Sequence, residues 1–183
     1  MEKQETKGKI IREVFPSEIV SIIGDLLAGI ILSILILNFN SFPILILIIP
    51  ALLSMRGNIS GPFIARTSRD IIIGEFNVIS WVENVLATFS LSLTTSSIIG
   101  IIAILLNAFF IGLPLMMITL FFIPVISILL TLLISIPCST FLNIMAFKYG
   151  LDPNNVVGPI MTAIDDFFTV VCFYFSILIL GVT

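Results

Sequence analysis

Residues 155–171 read NVVGPIMTAIDDFFTVV, an apolar run that carries two adjacent aspartates, Asp165 and Asp166. A charged side chain near the centre of a bilayer costs at least about 2.5 kcal/mol, so an aspartate there faces a partner or water and is by default a functional candidate. Two questions follow: whether the chain spans a membrane, and which groups the two carboxylates would contact there.

The composition is that of an integral membrane protein. Of the 183 residues, 58% are hydrophobic and 10% are charged, and the mean hydropathy is +1.25. Long apolar runs follow one another with little between them, which predicts a single membrane domain, residues 17–183. Residues 1–16 are polar and mixed in charge and lack the apolar core of a signal peptide, so we expect them to form a cytoplasmic N-terminal segment.

Histidine and cysteine usage narrows the chemistry. The sequence has no histidine and two cysteines, Cys138 and Cys172, each in an apolar stretch. Zinc and copper sites lack their usual ligands, and we expect both cysteines to be small buried side chains, with a thiol pair as the alternative. Histidine-based acid–base catalysis is excluded and no nucleophile motif is present, so we do not expect an enzyme. We also expect no nucleic-acid partner.

Turn signals divide the chain into five predicted transmembrane helices, an all-α fold. The single tryptophan, Trp81, predicts that residues 77–89 lie at the membrane interface ahead of span 3. Span 4 is longer than the roughly 20 residues of a straight span, so Pro124 and Pro137 are expected to kink or tilt it. The predicted spans are about 17–37, 43–65, 90–111, 115–147 and 156–180.

Basic residues predict the orientation of the spans. Lysines and arginines precede span 1 and lie in the connections between spans 2 and 3 and between spans 4 and 5, and the other connections have none. Because cytoplasmic loops carry an excess of Lys and Arg, this places the N-terminus inside and the C-terminus outside. Arg56 is the cation left at membrane depth. Five helices are few to surround a pathway, so we expect a homodimer of ten spans, surrounded by lipid in the cytoplasmic membrane.

The polar residues of span 5 form one stripe on a helix. Their steps of four, three, four and three residues keep them within roughly 80° of arc. Asp166 lies near the middle of this stripe, at the depth of the bilayer centre, whereas Asp165 points about 100° away. Asp166 is therefore the first candidate for a functional carboxylate, and a structural ion pair is the alternative; Asp25 and Glu83 are expected nearer the interface. The stripe consists of Asn155, Pro159, Thr162, Asp166 and Thr169.

Span 2 holds a second irregularity. Pro50 and Pro62 cannot donate backbone hydrogen bonds, which predicts two released carbonyl oxygens that could bind a cation where broken backbone lines a water-filled cavity. Gly57 and Gly61 have GxxxG spacing, which also fits a close helix contact. Asn58 adds an amide oxygen beside them.

Together these groups are hard oxygen ligands, which suit magnesium, manganese or calcium. Magnesium keeps several of its waters and is commonly held by one or two carboxylates. One Asp166 from each of two subunits, facing each other across a dimer axis, would therefore form a magnesium site.

Two stretches resemble MgtE-type magnesium transporters and their eukaryotic solute-carrier relatives. PALLSMRGN, residues 50–58, resembles the signature of their second membrane helix, which runs from a proline to a Gly-Asn pair, and DPNNVVGPIMTAIDD, residues 152–166, resembles the segment that leads to their intramembrane aspartate. The resemblance implies a homodimer whose central ion pathway is lined by spans 2 and 5. It implies magnesium at Asp166, seven residues beyond Pro159, and pore-lining backbone over about residues 51–58.

The sequence also departs from that family. Arg56, just before Gly57, is less expected there and would oppose the passage of cations if it faced the pore. About 16 residues precede span 1, so we expect the cytoplasmic sensor domains of the bacterial proteins, including the cystathionine-β-synthase type, to be absent.

The resulting hypothesis is transport of magnesium, with manganese or calcium as alternatives, at the homodimer interface. A sodium- or proton-coupled exchanger that uses the same aspartates is one alternative function, and a membrane assembly subunit whose carboxylates pair with a partner's cations is another. The predicted metal ligands are Asp166, Asp165, Thr162, Asn58 and Ala51, and the predicted pore-lining or structural residues are Pro50, Gly57, Gly61, Pro159, Asn155 and Thr169.

Overall fold

The computed structural model describes residues 7–41 and 43–181, and most of these residues are helical. Hydrocarbon offers no water to backbone groups, so a chain this apolar satisfies them within helices. The elements are α1 (Lys7–Ser41), α2 (Pro43–Ile72), α3 (Val78–Leu106) with a π-helical extension (Asn107–Ile111), α4 (Met117–Lys148) and α5 (Pro153–Ile179).

All five α-helices include a segment that is long and apolar enough to cross a membrane. The prediction of an all-helical, multi-pass membrane protein is therefore confirmed. The first helix begins at Lys7, well before the predicted start of span 1 near residue 17. The difference arises because hydropathy detects only the apolar part of a helix, whereas Lys, Arg and Glu are good helix formers that extend it.

Residues 77–89 are predicted as an interfacial lead-in; residues 78–89 belong to α3 and are continuous with the span that follows. Asn77 caps this helix, because its side-chain oxygen accepts a hydrogen bond from the backbone N–H of Ser80 at 2.9 Å. The indole Nε1 of Trp81 donates to the hydroxyl of Thr140 on α4 at 2.9 Å. Trp81 thus fastens the first turn of α3 to α4.

The two prolines that are predicted to release backbone oxygens in span 2 do not interrupt the helix. The second helix continues through Pro50 and Pro62, and α4 likewise continues through Pro124 and Pro137. Each proline removes one backbone donor, and packing against neighbouring helices tolerates that loss in a membrane span. Side chains along α2 therefore follow ordinary helical spacing, which decides which residues share a face.

The site-bearing helix, α5, packs against α1, α2 and α4, while α3 packs against α2 and α4. The α3–α4 contact depends on small and polar side chains, since lipid tails give apolar side chains no reason to prefer a neighbouring helix. At Gly100, an added Cβ would lie 2.8 Å from the carbonyl oxygen of Phe121 on α4. Five of the six buried residues of α3 recur every four positions: Asn84, Thr88, Ser92, Ser96 and Gly100. The sixth, Ala103, follows three residues after the last of them.

The contact between α1 and α5 is equally close. A Cβ added at Gly24 would collide with the Cβ of Ala163 and would lie 3.2 Å from its Cα. Because no flexible side chain stands between the two backbones, neither helix can give way locally. The glycine therefore sets the distance between α1 and the site-bearing helix.

Replacing Gly24 with alanine should lower the free energy of unfolding by about 1–3 kcal/mol, the usual cost of overpacking a close contact. Gly29→Ala on the same helix is the matched control, since a Cβ there meets nothing within 4 Å, and alanine favours a helix over glycine. Unfolding of the purified protein in detergent micelles measures both changes. Equal stability of the two variants would contradict the close α1–α5 contact.

Candidate functional site

A cavity of about 100 Å³ opens between α2 and α5. Three glycines provide its space, because a Cβ added at Gly57, Gly61 or Gly158 meets nothing within 4 Å. The α2 wall has residues at i, i+3, i+4 and i+7, which is one face of a helix. The lining residues are Gly57, Ser60, Gly61 and Ile64 from α2 and Gly158, Thr162, Asp165 and Asp166 from α5.

Asp166 is half-buried at the wall of this cavity. Within residues 7–41 and 43–181, its carboxylate takes part in no hydrogen bond or ion pair. Asp25 of α1 and the adjacent Asp165 are close enough to repel it, and Arg56 is close enough to attract it. The charge of Asp166 is thus exposed to the cavity without a direct partner among the described residues.

Asp165 is held quite differently. It is 2% exposed, its Oδ1 accepts a hydrogen bond from Nη2 of Arg56 at 2.8 Å, and its Oδ2 accepts one from the hydroxyl of Ser60 at 2.5 Å. The same Nη2 also donates to the hydroxyl of Ser135 on α4 at 2.5 Å. The two neighbouring aspartates therefore have different environments, one locked into an ion pair and one open.

Arg56 is the centre of this arrangement. It is 1% exposed, and its ion pair with Asp165 joins α2 to α5 while Ser135 adds α4. Its Nε and Nη1 have no hydrogen-bond partner among the described residues. The sequence suggested that Arg56 would oppose cations if it faced the pore, and the structure instead turns it toward Asp165, behind the cavity wall.

The start of α5 is anchored separately. Asp152 caps the helix by accepting from the backbone N–H of Asn154 at 2.8 Å. Glu13 of α1 accepts from the side chain of Asn155 at 3.0 Å and from the backbone N–H of Asp152 at 3.3 Å. Asn155, predicted as a pore-lining or structural residue, thus contacts α1 rather than the cavity.

The other predicted site residues divide into two groups. Thr162, Gly57 and Gly61 line the cavity with the two aspartates. Ala51 and Asn58 lie in a separate groove between α2 and α3, beside Leu91 and Thr95. Within one chain, their oxygens and the Asp166 carboxylate do not surround the same space, and their role as ligands stays a prediction.

The remaining predicted positions contribute at a distance. Pro50 is exposed on α2 and Pro159 is half-buried on α5. Thr169 is 1% exposed, and its hydroxyl has no hydrogen-bond partner among the described residues. Both cysteines are free, so no thiol pair forms. None of these residues lines the α2–α5 cavity.

Sequence reasoning missed three contributors: Ser60, Gly158 and Ser135. Two of them carried a readable signal, since Ser60 lies three residues beyond Gly57 and Gly158 lies four before Thr162, on faces already identified. Ser135 carried no comparable signal, because its importance comes from the position of α4 beside Arg56.

Chemically, the cavity offers one open carboxylate, the hydroxyl of Thr162 and helix backbone. In the described part of the chain, no three acidic or cysteine side chains come together as a metal-binding group. A single chain therefore offers few direct ligands to a cation. Such a site suits a hydrated ion with hard-oxygen preference, which keeps part of its water shell.

Five apolar helices and an open carboxylate in a cavity between two of them define a multi-pass membrane protein with a candidate cation site. The sequence profile of the family described as "MgtE: Divalent cation transporter" matches residues 49–176, from α2 to α5. The chain belongs to this family, which transports divalent cations and is not a family of enzymes. Comparisons with curated proteins and with solved structures gave no match.

Removing the hydroxyl of Ser60 should destabilise the fold by about 1.5–3 kcal/mol, because Asp165 would lose a hydrogen bond to a charged acceptor in a buried site. Ser54→Ala, on the exposed face of the same helix, should change stability by no more than about 0.5 kcal/mol. Unfolding in detergent micelles compares Ser60→Ala with this control. Equal losses would show that the Ser60–Asp165 bond adds nothing to the packing of α2 on α5.

Proposed function

We propose that the protein carries magnesium across the cytoplasmic membrane, using the cavity between α2 and α5 and Asp166 as the central ligand. The observation that supports this proposal is the open carboxylate: Asp166 lines a cavity and has no hydrogen bond or ion pair among the described residues. A carboxylate at membrane depth requires a partner or water. A transported cation with its hydration water supplies both.

The few direct ligands of the cavity suit magnesium better than an ion that must lose all of its water to bind. It sheds water reluctantly and is usually bound through one or two carboxylates with several waters retained. Thr162 lies on the same wall as Asp166; its hydroxyl donates to the carbonyl oxygen of Gly158 at 3.1 Å, which leaves the oxygen free to accept from such a water. Manganese and calcium share the preference for oxygen and serve as competitors in the assay below.

The cavity supports a homodimer as the transporting unit. Gly57, Gly61 and Thr162 are exposed in the single chain, and a polar, open wall facing lipid would be unfavourable. A second copy that applied the same face would cover it and bring a second Asp166 toward the first. Two carboxylates would then share one divalent ion, which relieves their mutual repulsion.

The distribution of basic residues supports the orientation. Arg66 and Arg69 precede the end of α2, and Lys148 lies in the last turn of α4. With the N-terminus inside, these helix ends and the basic residues before span 1 all lie on the cytoplasmic side, as the excess of Lys and Arg in cytoplasmic loops requires.

Changing Asp166 to alanine should lower magnesium uptake at least about a hundredfold, since even outer-shell partners of a metal ligand cost 10–100-fold when lost. Asp25→Asn is the matched control. Asp25 is predicted from the sequence to lie nearer the interface, but it follows Gly24, which packs on Ala163 three residues before Asp166. The change removes a second carboxylate that interacts with Asp166 but is exposed on α1 and outside the cavity, and uptake should stay within about threefold. Purified protein in liposomes, loaded with a magnesium indicator, provides the measurement.

The same assay separates the alternative functions. Uptake that requires a sodium or proton gradient would favour a coupled exchanger, and manganese and calcium test the choice of ion. The mass of each variant in detergent, measured by light scattering, reports assembly. If Asp166→Ala breaks the dimer, or if the wild-type protein carries no divalent ion, the chain is better described as an assembly subunit.

Filling the cavity should block transport without unfolding the protein. Gly61→Val adds a branched side chain where a Cβ meets nothing within 4 Å, so we expect normal stability. The two methyl groups would displace the ion from its position beside Asp166, and displacement of about 1 Å from a site is enough to lower a rate strongly, so the uptake rate should fall at least about tenfold. Gly29→Val adds the same groups in open space on α1, outside the cavity, and should leave uptake unchanged. Normal uptake by Gly61→Val would place the pathway elsewhere.

A further inference from the structure

Arg56 lies directly behind the wall of the α2–α5 cavity. Of the described residues that line this cavity, two are charged, Asp165 and Asp166, and the charge of Arg56 acts on both. It pairs with Asp165 at 2.8 Å and attracts Asp166 through space. One buried cation thus stands beside two carboxylates and neutralises one of them.

The choice between the two carboxylates is made by hydroxyl groups. Ser60 donates to the second oxygen of Asp165, and Ser135 accepts from the guanidinium nitrogen that binds the first. Asp166 has no comparable contact among the described residues. The charges of Arg56 and Asp165 therefore cancel, and the negative charge of Asp166 is left uncompensated at the cavity.

We propose that Arg56 is a positioning residue for the transported ion, which neutralises Asp165 so that each chain presents one uncompensated carboxylate to the pathway. This inference rests on the proposed function, in which two chains face each other. Two such chains offer two negative charges, which match one divalent cation. Transport requires binding that is strong enough for the ion to enter and weak enough for it to leave, and Arg56 sets that strength.

The proposal makes opposite predictions for the two partners of the ion pair. Without Asp165, the buried guanidinium is left to pair with Asp166, so the cation is bound more weakly. Without the charge of Arg56, both carboxylates face the ion, so it is bound more tightly and released more slowly. A purely structural ion pair would instead weaken folding in both variants and would shift ion binding in no particular direction.

The test is a charge cycle in the full chain, reconstituted in liposomes. The half-saturating magnesium concentration should rise about tenfold in Asp165→Asn and fall about tenfold in Arg56→Gln, with a maximal rate lowered to a similar extent in Arg56→Gln. The double variant restores the net charge, and both quantities should return to within about threefold of wild type. Arg56→Lys keeps the charge and should also stay within that range.

Shifts in the same direction in both single variants, or a double variant worse than either one, would overturn the proposal. If Arg56→Gln alone does not fold, Asp165→Asn and the double variant are compared instead. The proposal requires a higher half-saturating magnesium concentration in Asp165→Asn and a return toward the wild-type value when Arg56→Gln is added to it. Asp166→Ala separates the two levels of inference. If it abolishes uptake while the charge cycle shows no opposite shifts, the inference about Arg56 fails and the proposed function stands; if the wild type does not transport, the proposed function itself fails.

Discussion

A charge cannot stand alone in hydrocarbon, and the buried ion pair between Arg56 and Asp165 is the constraint on which the centre of this fold depends. Apolar helices gain little by leaving lipid for one another, so their mutual positions need close packing or polar contacts. This ion pair joins α2 to α5, and Ser135 adds α4. Two donor nitrogens of Arg56 lack partners among the described residues, so the pair is better understood as fixing the arrangement of the helices than as a large source of stability.

What the ion pair fixes is the rotation of α5 about its own axis. Adjacent residues on a helix point about 100° apart, so turning Asp165 inward toward Arg56 turns Asp166 to the cavity. The start of α5 is held independently, through Glu13 of α1 and through Ser68 of α2, whose hydroxyl donates to Asn154 at 2.9 Å. With its rotation set at two levels, the helix cannot exchange its two aspartates without breaking both sets of contacts.

Much of this could be predicted from the sequence. Hydropathy predicted the five helices, and helical projection placed Asp166 and Thr162 on one face, which lines the observed cavity. The projection could not reveal the partner of Asp165, because Arg56 is 109 residues away and the rotation of α2 relative to α5 is a tertiary property.

Ala51 and Asn58 are predicted to share a site with Asp166 because the resemblance implies pore-lining backbone over about residues 51–58 and Asn58 adds an amide oxygen. Since α2 continues through Pro50 and Pro62, these residues follow the helix onto the groove that faces α3. The match to the family begins at residue 49, so α1 lies outside it and yet contacts the site helix at Gly24. This places Asp25 of α1 close enough to Asp166 to repel it, while Asp25 itself is exposed and lies outside the cavity. Burial of the Asp166 carboxylate and repulsion by its acidic neighbours both make its charge costly without a cation. A divalent ion that brings its own charge and water relieves both costs, so the features that destabilise the empty site are those that favour binding of the ion.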